Sequence, residues 1–354
     1  MIDIFSVNPI LNFFLILILN IFLFYLINFY LFKKKILIDI KKTSPHKKLI
    51  SQEEVPVSGG IILLINCLIF SIFDNFINLI LISSIFLIGF FADIQKLNSP
   101  LKRFIFQLFL ILIFVIINDL FLRQVRITFI DQYLNYDLIS ILFTTFCLLI
   151  LINGSNFIDG SNLQCSGYYF IILTILIYLD LNNLLVNNFE IINILYPFLL
   201  SFILFNYFNK SYFGDGGSYL LSVIIGYLII SLHISTNISP YFIVLILWYP
   251  AFENFFSIIR RVNSSSARPD QPDSLHLHHL LFTFLNKKFI LNKNLSASLP
   301  SIIVNFFNFI IFYIGTHFLY STVKLIMLIL VCIVIYTFLY FLLLSQSKLK
   351  SINN

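Results

Sequence analysis

Long apolar runs recur along this chain from one end to the other, and they restrict it to folds for which a bilayer is the solvent. About eleven such runs, each of roughly 17 to 23 residues, can be marked. Their approximate limits are 10–32, 57–73, 76–92, 104–120, 137–153, 166–184, 191–209, 217–234, 240–259, 299–319 and 322–345. A hydrocarbon core about 30 Å thick needs about 20 residues of helix to cross it, and backbone inside lipid must satisfy its own hydrogen bonds. Only 11% of the 354 residues are charged, against about 25% in an ordinary soluble domain. The expectation is therefore an all-α polytopic membrane protein with about eleven transmembrane helices.

Charge gives the orientation. If the segment 33–56 lies in the cytoplasm, 19 of the 22 Lys and Arg residues fall on that side, as the bias of cytoplasmic loops toward basic residues requires. Arg123, Arg126 and Lys324 are the exceptions. An odd number of spans then places the N-terminus outside and the C-terminus in the cytoplasm. The first run is followed by Lys33, Lys34 and Lys35; it is too long, and its charge is on the wrong side, for a cleavable signal. Asp74 and Asn75 separate two runs that would otherwise read as one helix. Cys67, Cys147, Cys165 and Cys332 lie far apart and suit apolar packing. No repeat or linker divides the chain, so residues 1–354 read as one membrane domain. Its cytoplasmic loops are 33–56, 93–103, 154–165, 210–217 and 260–298.

Asp93, Asp159, Asp215 and Glu253 all fall at cytoplasmic helix ends or the loops joining them. Ionisable groups at membrane depth are costly unless they serve a polar cavity. Several acids converging beside a basic loop describe a site for a metal ion and an anionic substrate. Four segments stand out at this face: Gly89 to Gln107, with Asp93, Lys102 and Arg103; Asn153-Gly-Ser-Asn-Phe-Ile-Asp-Gly160; Phe213-Gly-Asp-Gly-Gly-Ser218; and Arg260-Arg261 through Asp273-Ser-Leu-His-Leu-His-His279. Glycines around Asp215 let backbone come close to a phosphate. A zinc site at His276, His278 and His279 is the competing reading of the last segment. No cysteine accompanies those histidines, and Asp273 is the nearby oxygen ligand.

These four segments, in this order, resemble the polyprenyl-phosphate N-acetylhexosamine-1-phosphate transferases, the family that includes the phospho-MurNAc-pentapeptide translocase. Pro45-His-Lys-Lys48 and Pro56-Val-Ser-Gly-Gly60 resemble its N-terminal signature, so the likeness covers about residues 45–279. His276-Leu-His-His279 is similar to the N-acetylhexosamine branch; the muramyl-pentapeptide branch usually shows three consecutive histidines. Two departures stand out. Ala92 replaces the first of two adjacent aspartates, and the Gly-Leu that usually follows the position of Asn162 is missing.

The resemblance implies an enzyme of the bacterial inner membrane, working at its cytoplasmic face. It implies transfer of a sugar 1-phosphate from a UDP-N-acetyl sugar to undecaprenyl phosphate, with release of UMP. Magnesium is the implied cofactor, with manganese as a substitute, held by Asp215 and Asn156. Asp93, Asp159 and Asp215 are the implied catalytic acids. Asp93 has three readings: orienting the lipid phosphate, pairing with Lys102, or holding the metal through water. Asn153, Asn156, Lys102, Arg260, Arg261, His276, His278 and His279 would bind substrate. Lys47 and Lys48 would dock the carrier phosphate, or are ordinary positive-inside lysines. A homodimer is left open, and no nucleic-acid partner is expected. The competing class is a polytopic transporter, which would place polar groups near the bilayer midplane, often in paired repeats; the polar signatures here lie at one face.

Overall fold

The computed structural model describes residues 9–39, 54–73, 75–181, 189–263, 275–289 and 292–349. Lys47, Lys48, Asp74 and Asp273 lie outside these residues. The chain is a multi-pass all-α membrane protein, and each of the eleven expected segments is helical. In order, the elements are α1 (Pro9–Lys34), β1 (Ile38–Asp39), β2 (Val55–Pro56), α2 (Gly59–Ile69), α3 (Phe76–Asp93), α4 (Pro100–Ile117) and α5 (Thr128–Leu134). They continue with α6 (Asp137–Ile158), α7 (Gln164–Leu181), α8 (Phe189–Tyr207), α9 (Gly214–Ser235), α10 (Pro240–Asn263), α11 (Leu277–Lys288), α12 (Lys293–Thr316) and α13 (Thr322–Leu349).

Among the described residues, nine helices are long and apolar enough to cross a membrane, while α2 and α7 are shorter apolar helices. With 11 residues, α2 rises only about 16 Å, roughly half a hydrocarbon core. It starts late because residues 55–57 are in extended pairing instead. β1 and β2 pair antiparallel, with Ile38 opposite Pro56, and Val57 bridges to Tyr212. The break before α3 is where the sequence places it. Asn75 is the N-cap, and its side chain accepts from the Ile77 amide at 3.0 Å.

The bundle is organised around α9, which packs against α2, α3, α6 and α10 and is buried from Gly216 to Ile225 without a break. Helices α1, α4 and α13 lie at the periphery and turn most of their apolar surface outward, as lipid-facing helices do. Close approach to α9 depends on glycine. A Cβ on Gly60 would lie 2.5 Å from the Gly217 nitrogen, and one on Gly89 would collide with the backbone of Gly216.

Pro250 interrupts α10 and leaves the carbonyl four residues earlier, Ile246, without its helical donor. The Tyr168 hydroxyl donates to that carbonyl at 2.8 Å, so no polar group is abandoned at membrane depth. Gly154 of α6 packs directly onto the Pro250 carbonyl oxygen. That contact brings the last turn of α6 against α10, where the candidate site begins.

Candidate active site

Asp215 stands in the first turn of α9 and is held from three directions. Before it, Gly214 has φ +76°, a left-handed conformation that favours glycine. A Cβ there would also lie 2.7 Å from Asp93 Oδ2. The segment 56–60 runs beside 212–213: Tyr212 N donates to Pro56 O at 2.9 Å, Gly59 N to Tyr212 O at 3.0 Å and Gly60 N to Phe213 O at 3.2 Å. The Pro-Val-Ser-Gly-Gly motif therefore builds the backbone frame that aims Asp215.

Asp93, at the C-terminal end of α3, accepts from the Asp215 amide at 2.9 Å and from the Gly216 amide at 3.2 Å. Its carboxylate thus serves as an N-cap for α9 supplied from another helix, where both the orphan N–H groups and the helix dipole favour a negative charge. Of the three roles open to Asp93 from sequence, none anticipated this one. The basic residue on Asp215 is Arg103, with Nη1 at 2.7 Å from Oδ2. Lys102 is exposed; it lies one position away on α4, where Ser99 caps the helix by accepting from its amide at 3.4 Å.

The last turn of α6 joins this corner to the histidines. Ser218 Oγ donates to Asn156 Oδ1 at 3.3 Å and to the Asp215 carbonyl at 3.1 Å. Asn156 Nδ2 donates to the Tyr219 hydroxyl at 3.4 Å. Asn153 Nδ2 donates to Gln107 Oε1 at 3.2 Å, tying α6 to α4. Phe157 follows, its ring 5.8 Å from that of His276 and 5.5 Å from the Arg261 guanidinium. Asp159 is the C-cap of α6. Next to it, Gly160 lies so close to His278 that a Cβ would meet Nε2 at 2.8 Å, and His279 Nε2 at 3.1 Å.

His276, His278 and His279 form a buried cluster at the N-terminal end of α11. Their ring centroids are 5.6 Å apart for His276 and His278, and 4.3 Å apart for His278 and His279. His276 Nδ1 pairs with Glu253 of α10 at 2.8 Å. Arg260 turns toward α13, where Nη1 donates to the Tyr340 hydroxyl at 3.2 Å and to the Leu275 carbonyl at 3.0 Å.

The donors present suit a hard cation. Asp215 supplies a carboxylate and Asn156 an amide oxygen, and Ser218 ties that amide oxygen to the Asp215 backbone carbonyl. Magnesium keeps several waters and shares substrate phosphates, so one or two protein oxygens suffice. Zinc would need more. Among the described residues, no three His, Cys, Asp or Glu side chains are grouped so as to hold a metal, and the zinc reading of the histidines finds no ligand set.

Sequence reasoning brought together Asp93, Asn153, Asn156, Asp159, Asp215, Arg261 and the three histidines. It passed over Arg103, Gln107, Phe157, Ser218, Tyr219, Glu253's partner Tyr336, and the role of Glu253 itself. One signal was available: Arg103 and Gln107 are four apart on an apolar helix, so they share a face, and Gln107 is buried.

Together the helices and this cluster define a class, a multi-pass membrane protein that collects acids, amides and histidines at one end of its bundle. Residues 75–233, somewhat under half of the chain, match the family model for glycosyl transferase family 4. The match supports an enzyme of the polyprenyl-phosphate sugar-1-phosphate transferase kind, a family whose substrates are a nucleotide sugar and a polyprenyl phosphate. No curated protein matches the chain. The matched stretch includes Asp93, Asn156, Asp159 and Asp215; the histidines and α13 lie beyond it.

Proposed function

We propose that this enzyme transfers N-acetylhexosamine 1-phosphate from a UDP-sugar to undecaprenyl phosphate, releasing UMP at the cytoplasmic face of a bacterial inner membrane. One observation carries the reading: the last turn of α6 touches both the Asp215 corner, through Asn156, and the histidine cluster, through Phe157 and Gly160. A site with an acidic corner and a cationic corner, back to back, suits two phosphate-bearing substrates that must be brought together.

A phosphate oxygen of the carrier attacks the donor phosphorus that bears the sugar. A new P–O bond forms there, the bond from that phosphorus to the oxygen bridging the two phosphates breaks, and UMP leaves with the bridging oxygen. The carrier phosphate is already ionised at neutral pH, so no strong base is required. Positioning and charge neutralisation supply most of the rate, as in other phosphoryl transfers. Magnesium held at Asp215 and Asn156 would offset the charge of the two phosphates.

The protein's own groups have separate tasks in this scheme. Asp93 fixes the start of α9, so Asp215 faces the site without drifting. Arg103 orients the Asp215 carboxylate and adds positive charge beside it. Arg261, His278 and His279 hold the donor diphosphate, with Asn153 and Asp159 on the nucleotide side. Arg260 acts indirectly, by anchoring the chain at Leu275. Lys102, Lys47 and Lys48 draw in the carrier phosphate. The carrier tail has a place in an apolar cavity of about 220 Å³ between α6, α9 and α10, lined by Leu148, Leu151, Gly226 and Leu247 among others. That lining runs from Gln124, His233 and Pro240 at the far end to Ile150, which is one turn from Asn153.

The test uses membranes from cells expressing the full chain. They are incubated with undecaprenyl phosphate, magnesium and each of a panel of UDP-sugars, and lipid products are identified by mass. At least one UDP-N-acetylhexosamine should give carrier plus sugar phosphate with stoichiometric UMP, and EDTA should abolish both. No lipid product from any UDP-sugar, or full turnover in EDTA, would contradict the proposal.

A further inference from the structure

Among the described residues Glu253 is the only acid that is fully buried, and burying a carboxylate is costly unless every lone pair has work. Both oxygens are engaged. Oε1 pairs with His276 Nδ1 at 2.8 Å, and Oε2 accepts from the hydroxyl of Tyr336. Tyr336 belongs to α13, the last helix, far outside the stretch that matches the family. One turn along α13, Tyr340 accepts from Arg260, whose guanidinium also holds the Leu275 carbonyl. The two tyrosine rings lie parallel, 6.3 Å apart. Two successive turns of α13 thus grip the chain at both sides of the 264–274 segment, one through Arg260 and one through His276.

We propose that Glu253 and Tyr336 are a positioning pair that holds His276 through Nδ1–H, so that Nε2 is the nitrogen turned to the donor diphosphate, to which it donates when the ring carries both protons. A carboxylate on one imidazole nitrogen sets which role the other can play. The hydroxyl of Tyr336 does the same one step back, by holding the carboxylate. In this way α13 takes part in donor recognition without touching substrate. The inference rests on the proposed contact between the histidines and the donor diphosphate.

Two variants separate positioning from packing. Tyr336→Phe removes only the hydroxyl, because the ring keeps its edge contacts with Trp248, Phe252 and Phe256. Glu253→Gln removes the charge at constant shape. With purified full-length enzyme, Tyr336→Phe should raise the KM for UDP-GlcNAc about three- to tenfold. Glu253→Gln should raise it about ten- to a hundredfold. Neither should change the KM for undecaprenyl phosphate, and the double variant should be no worse than Glu253→Gln alone.

Histidine-selective ¹⁵N spectra give an independent readout, with only six histidines to resolve and His276→Gln to assign the signal. Wild type should show a protonated His276 Nδ1 that Glu253→Gln loses. An unchanged KM for UDP-GlcNAc in both variants, or equal rises for both substrates, would overturn the proposal. So would a His276 spectrum indifferent to Glu253. Should wild type fail to turn over any UDP-sugar, the transferase reading fails and the donor role with it, while the spectra still decide whether the pair fixes His276.

Discussion

The two ends of the bundle both place charge in a largely apolar molecule, but they attach it to different partners. At the far end from Asp215, the charged groups mainly hold backbone, the exposed Arg123–Asp137 pair apart. Arg126 donates to the carbonyls of Tyr320 and Asn237 and to the Thr322 hydroxyl at 2.9 to 3.0 Å, so one guanidinium ties three connections together. Both nitrogens of His233 lie 3.2 Å from carbonyl oxygens, of Ile238 and Gln124. These groups rim a cavity of about 510 Å³. At the site end, side chains from several helices meet one another instead: Arg103 on Asp215, Asn156 on Ser218, Glu253 on His276, with Asp93 added on the backbone that starts α9. Loop closure needs one cation and several carbonyls, and nothing more. Convergent side chains in a membrane protein carry desolvation costs that closure alone does not require, and they mark the end where the proposed chemistry is placed. The same contrast accounts for Arg123 and Arg126, which stand against the positive-inside bias: they are part of the frame.

Four substitutions probe that contrast. Asp215→Asn should have the largest effect, lowering turnover by roughly a hundredfold or more while leaving the thermal unfolding temperature of the detergent-solubilised protein close to wild type. Wild-type turnover would remove Asp215 from the proposed metal site. Gly89→Ala should damage both properties, because its methyl group meets the Gly216 backbone, which has no side chain to swing aside. Destabilisation of about 1–3 kcal/mol is expected, with turnover falling because Asp215 moves with α9. Arg126→Ala should cost about 1–3 kcal/mol from lost charged hydrogen bonds, yet the folded fraction should keep its kcat; a large drop in kcat would blur the distinction between the ends. Arg123→Ala should be smallest. Its partner Asp137 is 2.6 Å away, but both side chains are well exposed, at 43% and 67%, so under about 1 kcal/mol is expected.

Much of the scaffold was legible because apolar length and charge are local signals. The eleven apolar segments and the break at Asn75 follow from them, whereas setting Asn156 beside Asp215 came from the family resemblance. The differences arise where a distant partner decides. The start of α2 is displaced because Pro56 and Val57 pair with β1 and Tyr212, which no periodicity reveals. Helix α4 begins earlier than its apolar run, since Ser99 and Pro100 set the start by capping while Lys102 and Arg103 hide the first turn. Choosing Arg103 over its neighbour requires the helix phase that Gln107 supplies. The role of Tyr336 was invisible: among 18 tyrosines and 43 phenylalanines nothing singles it out, and its partner is 83 positions away.

The most direct measurement of the central claim follows the phosphorus atom. Purified enzyme is given undecaprenyl phosphate and a UDP-N-acetylhexosamine carrying ³²P only in the phosphate attached to the sugar. Phospho-sugar transfer predicts that the label enters the lipid fraction and that the released nucleotide is unlabelled UMP. Label recovered in UDP, or left in unreacted donor with no lipid product, would contradict it.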